Sequence, residues 1–410
     1  MCGFAGFLLP QRAPSWDPQD VLADMTESLA HRGPDDHGLW SDPGTGVFLG
    51  FRRLAILDLS DAGHQPMVSR SGRYVVTFNG EIYNFQELRA ELEKDGARFR
   101  GHSDTEVLLA AVEAWGVEVA VRRSRGMFAF ALWDGREREL FLARDRMGIK
   151  PLYLLTAGGG LAWASECRAF HRCPLFSGRG DREAAWHFLR RLYVPGPLSI
   201  LEGVEKLVPG ELVRIRVRNG GPEVVDRMRF WDLGEVAVSG SAALRSEEEV
   251  VDGLHDLIRE SVRLRLVADV PVGAFLSGGI DSSVVVAVMQ ELASEPVRTF
   301  TISFDDPDFD EGPVAAAVAA HLGTRHTSIA FPTADVLDLI PTLPGLSDEP
   351  MANPSLLPTL LVSRVARRDV VVALSGDGGD ELFGGYNRYL FGANLIRRSR
   401  AVPGPLRRLA

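Results

Sequence analysis

The chain has 410 residues, of which 45% are hydrophobic and 24% are charged, proportions that are typical of globular enzymes. Acidic residues outnumber basic residues by 55 to 45, which leaves a formal net charge of −10. This acidity argues against a protein built mainly to neutralise nucleic-acid phosphates or to lie on an anionic membrane. At roughly 150 residues per domain, the length predicts two to three domains.

The cysteine content and the N-terminus point to an intracellular protein. Three cysteines, Cys2, Cys167 and Cys173, are too few and too odd in number for a disulfide framework. No apolar run approaches the roughly 18 residues that a membrane span needs, and the first ten residues lack the basic region and cleavage site of a signal peptide. We therefore expect a cytoplasmic protein without a nucleic-acid or membrane partner. A cysteine directly after the initiator methionine is the feature that this description leaves unexplained.

Short strands predominate in the first half of the chain. Runs rich in aromatic and β-branched residues, bounded by Gly, Asp or Asn, lie at 47–51, 74–79, 128–134, 140–144 and 161–164. Apolar spacing predicts helices at 86–94 and 105–115. Clustered strands with few helices favour an α+β sandwich. Alternating apolar and arginine residues at 213–218, followed by a turn at 219–221, predict an edge hairpin with one solvated face.

The second half has a different pattern. Residues 234–246 are small and polar and are predicted to be a linker. Beyond them a helical stripe at 250–262 is followed by alternating strands and helices, which lie at 270–276, 282–292, 297–304, 313–322 and 369–374. Alternation of this kind predicts parallel strands with crossover helices, and therefore an α/β domain.

The N-terminal cysteine has a chemical use. Removal of Met1 would give Cys2 a free α-amino group, and such amines titrate at about 7.7–8.0, near working pH. The residue would then carry its own general base, as other N-terminal nucleophiles do. Considered alone, Cys2 is explained equally well as an incidental cysteine at a frayed terminus.

Four further residues suggest what a nucleophile at Cys2 would attack. Asn79 and Gly80 offer a side-chain amide and an unhindered backbone N–H, the two donors of an oxyanion hole. Arg53 could bind a carboxylate through two hydrogen bonds, and Asp104 could pair with an ammonium group. Taken singly, each is better explained as a turn residue, a helix cap or a surface ion pair. Together they describe a site for a free α-amino acid with a reactive amide.

These residues lie in motifs that follow a known order: Met1-Cys2-Gly3, His31-Arg32-Gly33-Pro34-Asp35, Arg53-Leu54-Ala55-Ile56, Asn79-Gly80-Glu81-Ile82-Tyr83-Asn84, Asp104-Thr105-Glu106, Gly126-Met127-Phe128-Ala129-Phe130-Ala131 and Arg144-Asp145-Arg146-Met147-Gly148-Ile149-Lys150-Pro151. The set resembles the glutaminase domain of the class II glutamine amidotransferases, in the version fused to asparagine synthetase. The resemblance implies an Ntn-hydrolase-type α/β/β/α sandwich at 2–210. It further implies Cys2 as nucleophile and Asn79 and Gly80 as oxyanion hole, with glutamine bound by Arg53, Glu81 and Asp104.

Two glycine-rich turns mark a second candidate site. Ser277-Gly278-Gly279 joins a strand to a helix that begins with Asp281, Ser282 and Ser283, an arrangement whose backbone N–H groups can hold anionic oxygens. It has no lysine of the Walker A type, and tight packing is the alternative explanation. The turn at 375–381 contains three carboxylates, which are costly to place together unless a cation or a proton transfer needs them. An acidic surface turn is the alternative there, and helix capping explains the acidic residues at 305–311.

Both turns resemble those of the ATP pyrophosphatase domain of asparagine synthetase. The resemblance implies a doubly wound parallel sheet at 246–410, joined through a connecting hairpin and linker at 211–245. Asp377, where many members have Glu, would be the base in amide formation, and residues 348–355 would receive the acceptor carboxylate. The residues implied to bind ATP are Leu276, Ser277, Gly278, Gly279, Asp281, Ser282, Ile302, Ser375 and Gly376. The residues implied to bind Mg²⁺ are Asp281 and Asp380.

The resemblance implies a glutamine-dependent asparagine synthetase, a homodimer that uses glutamine, aspartate and ATP. Two alternatives stay open. One is a related amidotransferase that acts on another carboxylate, such as a peptide or an antibiotic precursor, and the other is a glutaminase or regulator with an inert second domain. Family members usually continue well past the Gly-Gly-Tyr motif, whereas this chain ends at Ala410. We therefore expect the synthetase half to be a fragment, or to be complete only with a partner chain.

Overall fold

A computed structural model describes residues 1–9, 14–218, 221–239, 246–306, 308, 310–332 and 336–400. Part of the predicted turn at 219–221, residues 240–245 of the predicted linker, and Ala410 lie outside the described residues. The chain divides into two compact units, of which the first comprises Met1–Glu247, Val267–Asp269 and Leu339–Pro354 and the second the remainder. None of the helices in the described ranges is long and apolar enough to cross a membrane.

Two six-stranded antiparallel sheets form the centre of the first unit. The strands are β1 Gly3–Leu8, β2 Asp36–Asp42, β3 Val47–Arg53, β4 Met67–Val68, β5 Tyr74–Ile82, β6 Gly126–Asp134, β7 Glu139–Arg144, β8 Tyr153–Ala157, β9 Gly160–Ala164, β10 Val204–Lys206, β11 Glu211–Arg218 and β12 Gly221–Arg229. The first sheet has the order β10-β8-β9-β1-β3-β2, and the second has the order β12-β11-β7-β6-β5-β4. Strand β1 directly follows the predicted nucleophile Cys2, and β5 contains the predicted oxyanion-hole residues Asn79 and Gly80.

Helices cover the outer faces of both sheets. The helices up to residue 239 are α1 Pro18–Glu27, α2 Phe85–Lys94, α3 Asp104–Trp115, α4 Val117–Arg123, α5 Arg182–Arg191 and α6 Leu233–Ser239, of which α1 to α4 contribute to the cores. Helix α1 packs on the first sheet, while α2, α3 and α4 pack on the second. A third apolar cluster, which contains Phe4, Trp133 and Trp163, lies between the sheets. These four layers confirm the predicted α/β/β/α sandwich.

Strand β1 shows why the sequence forms a layer with two apolar faces. Phe4 and Leu8 belong to the cluster between the sheets, whereas Ala5 and Phe7 belong to the cluster beneath α1. Successive side chains of a strand point to opposite faces, so a run that is apolar at every position buries both.

The region predicted to connect the domains differs from the prediction. Strands β11 and β12 complete the second sheet, and Leu212, Val213 and Ile215 are buried in its two cores. Of these two strands, β12 lies at the edge of the sheet, whereas β11 lies between β12 and β7. Residues 233–239 form the exposed helix α6, which has no buried residue. The low content of large apolar side chains indicates that residues 233–239 are not buried, but it does not exclude a helix.

The second unit is built on a parallel sheet. Its strands are β13 Val272–Phe275, β14 Arg298–Phe304, β15 Arg325–Phe331 and β16 Val372–Leu374, in the order β15-β14-β13-β16. The helices that follow α6 along the chain are α7 Glu247–Arg265, α8 Ile280–Leu292, α9 Gly312–Leu322, α10 Leu343–Leu346, α11 Leu356–Ala366, α12 Gly379–Phe383 and α13 Asn387–Arg400. Helices α7, α8 and α9 pack on one face of the sheet and α11 on the other, as predicted for a doubly wound fold.

The strand order of this sheet identifies where a ligand would bind. The chain runs from β13 outward to β14 and β15 and then returns to place β16 on the opposite side of β13. In open α/β sheets, ligands bind beyond the carboxyl ends of the strands at the point where the order reverses. Here that point lies between the ends of β13 and β16, which lead into the two predicted glycine-rich turns.

Candidate functional sites

Cys2 directly precedes β1 and lies against the backbone of Leu54. Its Sγ accepts a hydrogen bond from the Leu54 N–H at 3.3 Å and lies 3.5 Å from the Leu54 carbonyl oxygen. Burial raises the pKa of the thiol, and the Leu54 backbone, the N-terminal amine, Lys150 and Arg53 oppose that rise. Met1 is 56% exposed, so the residue that must be removed to free the Cys2 amine lies at the surface.

Asn79 and Gly80 lie side by side on β5, where they pair with Ala129 and Phe128 of β6. The Asn79 side chain is only 1% exposed, and its Nδ2 has no hydrogen-bond partner. A buried donor without a partner costs roughly 1–3 kcal/mol, which is typical of a group kept for a ligand. Gly80 has no room for a side chain, because a Cβ would overlap the Met127 carbonyl oxygen.

Arg53 ends β3, and its guanidinium is held by the loop that follows. Nη1 donates to the Ser60 carbonyl at 3.1 Å, while Nη2 donates to the carbonyls of Leu57 and Asp58. Gly63 packs directly against this guanidinium. The loop therefore fixes the orientation of the Arg53 guanidinium, and any carboxylate that the arginine binds has to approach an already positioned group.

Asp104 begins α3 and is buried. Its Oδ2 accepts a hydrogen bond from the Ile82 N–H at 2.8 Å, which places the carboxylate beside Glu81 at the end of β5. Burial raises the pKa of Asp104 to about 6, against the opposing effect of backbone hydrogen bonds from Ile82 and Thr105. The structure thus places the Asp104 carboxylate against the backbone at the end of β5 and Cys2 against Leu54, the residue that follows Arg53.

Lys150 is a residue that the sequence analysis did not assign. It is buried, and burial lowers its pKa, while the charges of Glu81 and Cys2 raise it. The ammonium therefore lies within electrostatic range of both the thiol and the end of β5. Lys150 stands in one of the motifs quoted above, but a lysine in a motif does not reveal that its charge is buried next to a cysteine.

Arg32 is the second unassigned residue. Its Nε donates to the Cys2 carbonyl oxygen at 2.8 Å, and its Nη1 binds Glu166 at 2.6 Å. The Gly3 position packs on Arg32, because a Cβ there would lie 3.0 Å from the Arg32 Cδ. The arginine therefore holds the backbone of the candidate nucleophile. Its motif could have indicated a role, whereas no sequence signal marks Glu166.

In the second unit, the turn after β13 is organised by its own hydroxyl groups. Ser282 Oγ accepts from the Ser277 N–H at 3.2 Å and lies 2.9 Å from Ser277 Oγ. Gly278 has φ of +80° and packs against Val314 and Ala315 of α9. Ser277 and Gly279 are exposed, so the turn presents polar groups to solvent at the carboxyl end of the sheet.

The turn after β16 packs directly on the first turn. A Cβ at Gly376 would lie 2.7 Å from the Ser282 backbone nitrogen, and a Cβ at Gly379 would overlap the Asp281 carboxylate. Ser375 Oγ donates to Asp377 at 3.0 Å, and Asp377 is exposed. The structure thus brings together the two turns that the sequence analysis assigned to one ligand.

Leu276 and Ile302 lie near this crevice at the ends of adjacent strands. The Leu276 N–H donates to the Phe300 carbonyl at 3.0 Å, and the Leu276 carbonyl accepts from the Thr301 hydroxyl. Leu276 is fully buried, and Ile302 is half-buried in β14. They offer an apolar floor beside the polar turns.

Asp281 and Asp380 are the two carboxylates that the resemblance assigned to Mg²⁺. Gly379 packs directly against the Asp281 carboxylate and Gly385 against the Asp380 carboxylate, because a Cβ at either glycine would overlap a carboxylate oxygen. Mg²⁺ is commonly held by one or two carboxylates together with substrate phosphates. Within the described ranges, no group of three or more His, Cys, Asp or Glu side chains could hold a metal ion by itself.

Residues 348–355 begin with two carboxylates that are already paired. Asp348 binds the backbone N–H and the Nε of Arg168 at 2.6 and 2.7 Å. Glu349 forms an ion pair with Lys206 and accepts from the Ile200 N–H at 2.9 Å. Both carboxylates thus anchor this stretch to the first unit.

Comparison with known proteins identifies both regions. The family described as "Glutamine amidotransferase domain" matches residues 1–231, and the family described as "Asparagine synthase" matches residues 253–410. Asparagine synthetase (glutamine-hydrolyzing) 1 of Bacillus subtilis strain 168 is 38% identical over 95% of this chain and 59% of its own length. Asparagine synthetase (glutamine-hydrolyzing) 3 of the same organism is 32% identical over 94% of this chain and 63% of its own.

A relative with a different name has a similar extent. Amidase chry2 of Gibberella zeae is 32% identical over 95% of this chain and 60% of its own length. The chain therefore spans about three fifths of the length of these curated relatives. With both families matched in order along a chain that carries the thiol site in the first and the paired turns in the second, the chain belongs to the glutamine-hydrolysing asparagine synthetase family.

Proposed function

We propose that this chain provides the glutaminase and ATP-binding parts of a glutamine-dependent asparagine synthetase, a carbon–nitrogen ligase with glutamine as amide donor. The observation that carries the proposal is the environment of each of two residues, Cys2 and Asn79. A thiol held by a backbone amide and a buried side-chain amide without a partner are the nucleophile and the oxyanion donor of acyl transfer.

In the first half-reaction, Cys2 attacks the side-chain carbonyl carbon of glutamine. The α-amine of Cys2, free once Met1 is removed, accepts the thiol proton and then gives it to the departing nitrogen. Asn79 Nδ2 and the Gly80 N–H stabilise the oxyanion of the tetrahedral intermediate. Collapse of that intermediate breaks the C–N bond, releases ammonia and leaves a glutamyl thioester, which water hydrolyses to glutamate and free thiol.

Three charged residues select glutamine as the substrate. Arg53, fixed by its loop, would bind the α-carboxylate, and Glu81 and Asp104 would bind the α-ammonium group. Because Asp104 is buried, its carboxylate gains more from an ammonium partner than an exposed carboxylate would. These contacts would direct the side-chain amide of the bound glutamine toward Cys2.

In the second half-reaction, ATP would bind where the strand order reverses. Leu276, Ile302, Ser375 and Gly376 would hold the adenosine, and the turn formed by Ser277, Gly278, Gly279, Asp281 and Ser282 would hold the phosphates. The aspartate side-chain carboxylate attacks the α-phosphorus and displaces pyrophosphate, which gives an acyl-adenylate.

Ammonia then attacks the activated carbonyl, AMP leaves, and asparagine is formed. Asp377 would take the proton that the nitrogen loses, with a reach one methylene shorter than that of Glu. Mg²⁺ bound by Asp281 and Asp380 would neutralise phosphate charge.

The direct test measures ammonia release from glutamine and glutamine-dependent pyrophosphate release in the wild type and in a Cys2→Ala variant. We expect the variant to lose glutamine hydrolysis while ammonium salts still support amide formation. Glutamine-dependent product formation by Cys2→Ala would contradict the mechanism.

The name of the Gibberella zeae relative favours one alternative, an amidotransferase for a different carboxylate. A screen of carboxylates for glutamine-dependent pyrophosphate release distinguishes the acceptors. Release with aspartate alone supports the synthetase, release with another acid supports the alternative, and release with none favours a glutaminase or regulator. The homodimer and the cytoplasmic location stay predictions, which light scattering and fractionation would test.

A further inference from the structure

The backbone of Cys2 is held by a buried charge network. Arg32, which is only 8% exposed, donates from Nε to the Cys2 carbonyl at 2.8 Å. Its Nη1 binds Glu166 Oε1 at 2.6 Å, although the two residues are 134 positions apart in sequence. Burial disfavours the charge of Glu166, but Arg32, His31 and Arg168 together lower its pKa. The carboxylate therefore stays ionised and fixes the guanidinium that holds Cys2.

The network continues beyond Glu166. Arg168 Nε donates to Asp348 Oδ1 at 2.7 Å, and the Arg168 guanidinium forms an ion pair with Glu166, whose Oε2 lies 2.9 Å from the same nitrogen. The Arg168 backbone N–H binds the other Asp348 oxygen at 2.6 Å. Hydrogen bonds and the Glu166–Arg168 ion pair thus join the Cys2 carbonyl to Asp348, a residue 346 positions away.

Asp348 belongs to a segment with an unusual place in the chain. Leu339–Pro354 is part of the first unit, yet the residues before and after it, up to Asp338 and from Ser355, belong to the second. A second anchor holds the same segment, because Glu349 pairs with Lys206. Asp348 alone of these two carboxylates contacts Arg168 among the described contacts.

We propose that Glu166 and Arg168 are positioning residues for glutamine hydrolysis, and that through Asp348 they tie the position of Cys2 to the segment 339–354. The inference rests on the proposed function of Cys2. Charge-assisted hydrogen bonds are directional and roughly twice as strong as neutral ones. A change at Asp348 therefore removes the acceptor of the Arg168 Nε–H, and the movement of Arg168 shifts Glu166 and Arg32. A nucleophile misplaced by about 1 Å loses on the order of 100-fold in rate.

The test compares kcat and KM for ammonia release from glutamine by the full chain, without ATP. We expect Glu166→Gln to lower kcat about tenfold or more and Asp348→Asn about three- to tenfold, each with KM changed less than twofold, because glutamine contacts are left intact. In the double variant we expect the effect of Glu166→Gln alone, since the path from Asp348 is already broken. Additive effects would overturn the proposal.

Lys206→Met is the matched control. It removes the other anchor of the same segment without touching Arg168, so we expect its kcat to stay within twofold of the wild type. Equal losses in Lys206→Met and Asp348→Asn would mean that the segment acts by stability alone, and would overturn the proposal. Arg168→Lys keeps the charge that pairs with Glu166 but loses the Nε hydrogen bond to Asp348, so its kcat should fall between those of the wild type and Glu166→Gln. Thermal unfolding identifies any variant that is merely unfolded.

A second measurement separates this proposal from the proposed function. The rate of Cys2 alkylation by iodoacetamide, followed by peptide mass spectrometry, needs no glutaminase activity. We expect Glu166→Gln and Asp348→Asn to change it at least threefold and Lys206→Met to leave it unchanged. If the wild type releases no ammonia from glutamine, the proposed function fails, and unchanged alkylation in both carboxylate variants overturns the network independently.

Discussion

The two candidate sites differ in how far the protein interior has built them. In the first unit, Asn79, Arg53 and Asp104 are all buried on or beside central strands, and their polar groups are oriented before any substrate arrives. In the second unit, Ser277, Gly279 and Asp377 are exposed on turns beyond the ends of short strands. The thiol site is therefore preorganised by a sheet core, whereas the phosphate site is formed by turn backbone.

The difference shows which kind of change should damage each site. A preorganised site contains buried polar groups without a partner, such as the Asn79 amide, so removing one should change the rate of glutamine hydrolysis more than the stability of the fold. A site made of touching turns depends on close backbone approach, so that adding a single methyl group should affect binding. The variants below test this contrast.

The largest effect is expected for Asn79→Ala. Removing an oxyanion donor lowers kcat by roughly 100- to 1,000-fold, while KM for glutamine should change less than threefold. The midpoint of thermal unfolding should stay near that of the wild type, because the amide lost had no partner in the folded protein. Steady-state ammonia release and calorimetry provide the two measurements.

Asn84→Ala is the matched control for this prediction. Asn84 is also buried, but its amide donates to the Arg123 carbonyl at 3.1 Å and accepts from the Arg125 N–H at 2.8 Å. We expect it to lose roughly 1–3 kcal/mol of stability with little loss of kcat. The contrast would be wrong if both variants lost stability equally and Asn79→Ala kept its rate.

Gly376→Ala should impair the candidate site of the second unit and leave that of the first unit intact. Its Cβ would lie 2.7 Å from the Ser282 nitrogen, so the turns must move apart, and overpacking of this kind costs about 1–3 kcal/mol. Because ATP would bind to the two turns, we expect this strain to lower ATP affinity about 10- to 100-fold, which titration with a fluorescent ATP analogue would measure. Glutamine hydrolysis should be unchanged.

Gly253→Ala provides the control within the same unit. Gly253 lies inside α7 with open space around its Cβ position, so alanine should raise helix stability by about 0.5–1 kcal/mol and leave ATP affinity unaltered. Weak ATP binding in both variants would show that the assay reports general damage to the unit, and not contact between the turns.

Sequence patterns are sufficient to predict the layers of the fold but not the contacts between strands that are distant in sequence. Alternation and apolar runs predicted β3, β5, β6, β7 and β9, because each buries at least one face in a sheet core. The role of β11 was harder to predict, since the alternating arginines of 213–218 suggest a solvated edge. One of them, Arg216, instead pairs with Glu139 of the neighbouring strand, a contact that the local pattern does not contain.

The same limit applies to the candidate sites. Cys2 and Asn79 could be proposed from motifs, because their chemistry depends on residue type and close neighbours. The environment of Cys2 could not, since it depends on contacts between residues far apart in sequence: Arg32 and Glu166 are 134 positions apart, and Arg168 and Asp348 are 180 apart. Burial of Lys150 beside the thiol is likewise a property of the packed sheets.

The pH dependence of glutamine binding tests preorganisation in the first site. Burial raises the pKa of Asp104 to about 6, so the carboxylate becomes protonated as pH falls below that value and loses its attraction for an ammonium group. KM for glutamine should then rise about tenfold between pH 7 and pH 5. In Asp104→Asn, KM should be high and nearly independent of pH over this range; the same pH dependence in that variant would assign the titration to another group.

The smallest expected effect concerns Lys150. Burial raises the pKa of the Cys2 thiol, and the Lys150 charge acts against that rise, so Lys150→Met should raise the thiol pKa further. At a fixed pH below that pKa the thiolate fraction falls, and alkylation of Cys2 should slow by roughly three- to tenfold. Lys94→Met, in the last turn of α2, should alkylate at the wild-type rate. Because alkylation rises with pH as thiolate forms, the Lys150→Met profile should be displaced to higher pH with the same plateau; a lowered plateau would instead mean that access to the sulfur has changed.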